Sequence, residues 1–183
     1  MKWEERPNVI KGSLGEKIVD EYIHDSGKFI PYNPVYEGPH PFDRIIASLD
    51  KKELYILETK TKARRNLYPD TGINLKHYYE YKHLQDKYNL GVYIAFVDEM
   101  LNMVYGNFLN DLARETTINN NGKLGKYPHI YNDIIFFPCV NMEFICKIDN
   151  GYAEELKKHS RRNYGYNALK LVNNKRITTL FDF

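Results

Sequence analysis

Residues 91–97, GVYIAFV, limit the fold more than any other stretch. Val92, Ile94 and Phe96 alternate with Tyr93, Ala95 and Val97, so a strand here is apolar on both sides. Such a strand must be covered on both faces, which places it at the centre of an α/β sheet. The segments before it fit that frame. SLGEKIVDEYIHDSG (13–27) carries Leu14, Ile18 and Tyr22 four apart, widened by Val19 and Ile23, and predicts a helix with Ser13 as its cap and Gly27 as its stop. Lys28–Tyr36 contains two prolines and reads as an edge strand, followed by a GPHP turn at 38–41. Phe42–Leu49 and Glu53–Lys60 are two strand-like runs joined by a tight Asp50-Lys51-Lys52-Glu53 turn.

Between these and the central strand, RRNLYPDTG (64–72) reads as a loop. Asn74–Tyr88 reads as a helix capped by Asn74, with Leu75, Tyr78, Tyr79 and Lys82 on one face. Further strands are expected over Met103–Tyr105, Ile134–Phe137 and Met142–Ile148, a polar loop over 119–129, a basic-ended helix over Tyr152–Arg162, and an apolar tail, RITTLFDF. The order is that of a mixed sheet flanked by helices. Residues 1–183 are read as a single domain with a core at about 12–98 and an α+β elaboration at about 99–183.

Composition narrows the function classes. No stretch approaches the ~20 apolar residues of a membrane helix, and MKWEERPNVIKG lacks the apolar centre of a signal peptide. Two cysteines without CxxC spacing, and six histidines without HxH or HxxxH pairing, argue against a disulfide framework and a zinc site; a reducing cytoplasm fits. A net charge of +2 leaves the partner class to local charge. Sixteen tyrosines among many Asn, Lys and Ile are read mostly as residue usage in an AT-rich genome, although aromatics among lysines can stack on bases.

The chemistry concentrates in ELYILETKTKARR (53–65). Glu-x-Lys recurs at Glu80–Lys82 and Glu155–Lys157, but on predicted helices, where residues two apart point about 200° apart. On a strand, Glu58 and Lys60 share a face with Leu54 and Ile56. If Lys51 and Lys52 form a two-residue loop, Asp43 falls opposite Lys60 and Ile45 opposite Glu58. Asp43 and Glu58 are then diagonal neighbours, roughly 7–8 Å apart at the backbone, and can point at one ion. A one-residue change in the loop would send Asp43 to the other face. Mg²⁺ takes hard oxygen ligands, so two carboxylates and the Thr59 carbonyl suit it, with Mn²⁺ able to substitute. A nearby lysine can orient the attacking water or stabilise charge on a phosphate. Lys62, Arg64 and Arg65 follow at once and read as a phosphate grip.

FDRII…LYILETK resembles the core of the PD-(D/E)XK nuclease superfamily over roughly residues 12–98. The resemblance implies an αβββαβ, restriction-endonuclease-like core and metal-dependent hydrolysis of phosphodiester bonds in DNA. It implies that Asp43 and Glu58 bind metal and that Lys60 acts on the water. Phe42 stands where the family motif has Pro. A glutamate on the family's first helix often supports the metal, and Glu16 stands there; Ser13-Leu14-Gly15-Glu16 is also a capping box, and both roles stay open. Lys76 matches an extra basic position on the second helix, and His40 lies just before Asp43 at the mouth of the cleft. Lys157, Lys158, Arg161 and Arg162 form a second basic cluster, read as a charged helix face or a second DNA contact. TLFDF faintly resembles peptides that dock into sliding clamps, but Ile177 stands where Gln is expected. A homodimer is compatible with the short chain. The competing expectation is a nucleic-acid-binding or assembly module that keeps the fold without turnover.

Overall fold

The computed structural model describes residues 2–33, 41–50, 52–65, 67–120 and 123–160. After a short 3-10 turn, helix α1 runs over Pro7–Ser26, with Pro7 in its first turn and Gly27 closing it in the left-handed conformation at φ 59°. Proline at a helix start loses no hydrogen bond and is already set to a helical φ. Ser13 therefore lies inside the helix, and the expected capping box of Ser13 with Glu16 does not form. The next elements are β1 (Phe29–Tyr32), β2 (Arg44–Ser48), β3 (Leu54–Thr61), β4 (Asp70–Asn74), α2 (Leu75–Tyr88) and β5 (Gly91–Asp98). Then come β6 (Met103–Phe108), α3 (Leu109–Leu112), β7 (Thr116–Asn120), β8 (Lys123–Tyr127), β9 (His129–Tyr131), β10 (Ile134–Pro138), β11 (Glu143–Lys147) and α4 (Asn150–Lys158).

Among the described residues the main sheet has six strands in the order β1-β2-β3-β5-β6-β11. The β3–β5 pair is parallel and the other pairs are antiparallel. A parallel pair needs a crossover, and α2 supplies it. With β4 set aside into a second sheet, α1-β1-β2-β3-α2-β5 is the αβββαβ order, and β6 and β11 extend it. Strand β5 is central and fully covered, as its two apolar faces require. On one face, Leu57, Ala95 and Val97 pack with Ile18, Val19 and Ile23 of α1 and Leu156 of α4. On the other, Ile56, Ile94 and Phe96 pack with Tyr81 of α2 and with Ile73, Ile135 and Phe137 of the second sheet.

Three expectations change. The β2–β3 hairpin pairs Ala47 with Leu54 and Arg44 with Leu57, and Ser48 N–H donates to Glu53 O at 3.0 Å, so the loop is residues 49–52. A two-residue loop wants glycine at positive φ, which Lys51-Lys52 lacks. Instead Asp50 accepts from Ser48 Oγ at 2.5 Å and from Lys52 N–H at 3.3 Å. Residues 64–72 do not remain a loop: Asp70 starts a strand, and β4-β10-β9 form a separate sheet. Gly72 belongs in that strand because a Cβ there would lie 2.2 Å from Ile135 O. Residues 119–129 likewise contain part of a β7–β8 ribbon and the start of β9, hidden because their polar residues carry no alternation.

Helix α2 has the expected bounds, and Asn74 caps it by accepting from Lys76 N–H at 2.8 Å. Its inner face is Leu75, Tyr78, Tyr81 and Leu84, whereas Tyr79 points outward.

Candidate active site

Strand β3 carries Ile56 into the core on the α2 side, and two-residue alternation puts Glu58 and Lys60 on that same side. Asp43 immediately precedes β2. Continuing the hairpin register sets it opposite Glu58, not opposite Lys60 as the shorter loop predicts. The two-residue shift preserves the face, so the carboxylates come together directly across the pair rather than on a diagonal.

The hydrogen bonds fix each group. Asp43 Oδ2 accepts from Thr59 N–H at 2.7 Å. Lys60 Nζ donates to Glu58 Oε1. Glu58 is 5% exposed, and its Oε2 is buried with no hydrogen-bond partner. A buried carboxylate with an incompletely bonded oxygen is costly, and a cation beside it would offset that cost. The Asp43 carboxyl is pushed up to about 6, first by burial and then by the Glu58 charge; the Thr59 amide, Lys60 and Arg44 pull it back only in part. Tyr81 forms the floor, with its ring centroid 5.7 Å from Lys60 Nζ. Burial raises its phenol well above the usual range, followed by the Glu58 charge and by a side-chain interaction of the hydroxyl with the Glu58 carboxylate. Burial and then Lys60 lower His77, one turn earlier on α2.

Glu16 reaches this site from α1. Its carboxyl is raised by burial first and by Asp43 next, while Arg44 draws it down. Arg44 was not singled out in the sequence, yet it holds the two elements together. Its guanidinium grips Asp20 at 3.2 and 2.7 Å, lies 3.8 Å from Glu16 Oε2, and donates to the Asp43 backbone oxygen at 2.8 Å. The available signals were Glu16 and Asp20 four apart on one helix and an arginine beside Asp43. Tyr81 escapes the sequence reading, which runs one face of α2 through Leu75, Tyr78, Tyr79 and Lys82.

The remaining expected residues are spread more widely. Lys62 Nζ donates to Gly72 O at 2.8 Å, and Arg65 makes a two-pronged pair with Asp70 at 2.6 and 2.5 Å. Both tie β3 to the second sheet. The Arg64 amide donates to Asp98 Oδ2 at 3.0 Å. Lys76 is solvent-facing at the start of α2, 3.7 Å from Glu80. Lys157 and Lys158 pair with Glu154 and Glu155 on α4. His40, Arg161, Arg162 and the TLFDF tail lie outside the described residues.

The donor set suits a hard divalent cation. Two facing carboxylates, one with an incompletely bonded oxygen and the other raised by burial and then by its neighbour, would both be relieved by positive charge between them. Among the described residues no group of three or more His, Cys, Asp or Glu side chains closes a cage. Mg²⁺ needs none, since it keeps several waters and accepts substrate oxygens.

No known family and no curated protein matches the chain. Among solved structures, a Holliday junction resolvase from Archaeoglobus fulgidus shares 9% identity, with 68% of this chain and 88% of that chain covered at a TM-score of 0.45. No helix among the described residues is long and apolar enough to cross a membrane.

Proposed function

We propose that the protein is a divalent-metal-dependent nuclease that hydrolyses phosphodiester bonds in DNA. The observation behind this reading is the Asp43–Glu58 pair with its open Glu58 Oε2, beside Lys60 on the same strand face. Asp43, Glu58 and the Thr59 carbonyl would hold Mg²⁺, with Mn²⁺ as a substitute. The ion would supply a water of lowered pKa and neutralise charge on the phosphate. Thr59 N–H keeps Asp43 turned towards Glu58. Lys60, backed by the Tyr81 ring, orients the attacking water and stabilises charge developing on the phosphate oxygens. Glu16, held by Arg44, supports Asp43 from the helix side. Lys76 is the phosphate contact nearest this role, while Lys62 and Arg65 shape the wall through their bonds to β4 and the Arg64 amide is tied to Asp98.

The test is cleavage of supercoiled, linear and branched DNA in Mg²⁺ or Mn²⁺, repeated with Asp43→Ala and Lys60→Ala. The expected result is cleavage that needs the metal and is lost in both variants. Metal-dependent cleavage surviving both substitutions would sink the residue assignment. Absence of cleavage on every substrate would favour a module that binds DNA without turnover.

A further inference from the structure

The β7–β8 ribbon, β9 and residues 67–68 line an open cleft of about 790 Å³ that does not include Asp43 or Glu58. Its polar lining consists of Arg65, His129 and the tyrosines Tyr68, Tyr127 and Tyr131, and among the described residues no carboxylate lines it. The rest is apolar and open: Leu67 and Leu124 are each 74% exposed, Tyr131 is 61% and Tyr68 is 47%. An exposed patch of this kind marks a binding surface more often than a packing accident.

Arg65, Tyr68 and His129 pack on one another's neighbours. The Arg65 guanidinium sits 3.9 Å from the Phe136 ring centroid and 4.4 Å from that of Tyr68, while Asp70 grips its nitrogens. His129 stacks on Phe136 at 5.2 Å and 20°. Tyr68 thus lies on a guanidinium plane whose charge Asp70 balances, and remains half open to solvent. The platform also continues the candidate active site. Lys62, two residues beyond Lys60 on the same chain path, lies 5.9 Å from the Phe136 ring, and Arg65 follows within about 17 Å of extended chain from Lys60.

The Arg65 charge is already balanced by Asp70, so a ligand for this lining is selected by flat faces that stack on the open tyrosine rings. Unpaired nucleotides offer such a face on every base. Paired bases in a duplex keep those faces inside the stack. We infer that this cleft binds unpaired bases of single-stranded DNA by stacking on Tyr68 and Tyr131, which would place a single-stranded or branched segment beside the scissile bond. This substrate assignment rests on the nuclease reading, but the binding itself does not.

The experiment measures binding of a labelled oligo-dT single strand and of a duplex of equal length, in EDTA at fixed salt. The expected result is that Tyr68→Ala and Tyr131→Ala each weaken single-strand binding about tenfold or more, leave duplex binding within about twofold, and that the Phe variants keep the native affinity. Both rings are exposed, and circular dichroism confirms that the variants fold. Alanine variants that bind the single strand like the native protein would overturn the inference, as would equal losses on both DNA forms. Sedimentation showing a dimer that the alanine variants dissolve would also overturn it and make this face a contact between copies. The assay contains no metal, so single-strand binding without any Mg²⁺-dependent cleavage would leave this site standing and remove the nuclease reading.

Discussion

Two buried carboxylate clusters lie at opposite ends of residues 58–70, and they are finished differently. Asp70 is fully buried; Arg65 donates to both its oxygens, and Tyr127 O–H adds a bond to Oδ2 at 2.6 Å. Asp43 and Glu58 face each other with one amide, one ammonium and the Tyr81 hydroxyl as their neighbours, and Glu58 Oε2 takes no hydrogen bond of ordinary geometry. A closed cluster holds two sheets together. An open one stores repulsion that a cation can relieve. The same chain segment therefore carries structure in Arg65 and chemistry in Lys60, although both look like members of one basic run.

The strongest challenge to that contrast is Arg65→Ala. It strands Asp70 without its cation and should cost about 3–5 kcal/mol in chemical denaturation. Native-like stability with weakened DNA binding would instead make Arg65 a phosphate contact. Lys60→Ala works at the open cluster. It should lower metal-dependent cleavage about 10²–10³-fold, and because it strips buried Glu58 of its cation it should also lower metal-free stability in chemical denaturation.

Asp43→Asn sharpens the contrast through pH. The folded carboxyl titrates near 6 against an ordinary 3.8. Between those values the folded protein holds a proton that the unfolded chain has lost. Metal-free stability should therefore fall as pH rises through this window and stay lower above it. Asn removes the charge and keeps an acceptor for Thr59 N–H. The variant should lack this downward slope and exceed the native protein by about 2 kcal/mol at neutral pH in urea titrations. A lower stability there would mean that the pair is already satisfied.

Gly15→Ala is the mildest test. A Cβ at Gly15 would sit 1.8 Å from Thr61 Oγ1, where α1 crosses β3. We expect a loss of about 1–3 kcal/mol, with cleavage reduced as Glu16 is levered away from Asp43.

The legible parts of the sequence were those set by periodicity. GVYIAFV gave the central strand, and alternation put Glu58 and Lys60 on one face. The hairpin loop was misjudged by two residues, yet Asp43 stayed on the right face because strand geometry repeats every two. Ser13 misled because a capping motif inside a helix looks like one at its end; Pro7 was the stronger start signal. Asp70 and Thr71 were hidden by a Pro-Asp-Thr-Gly run that spells a turn, while their burial depends on β10, more than sixty residues away. Arg44 and Tyr81 belong to the site through partners on other elements, and no local pattern announces such contacts.

The most direct measurement of the central claim is the thermal unfolding midpoint against Mg²⁺ concentration at pH 7.5, for the native protein and for Asp43→Asn. If the open carboxylates are a cation site, the native midpoint climbs with Mg²⁺ because the ion binds only the folded state. The variant then starts higher without metal and stays flat. The same Mg²⁺ response in both proteins, or none in the native one, would contradict the account.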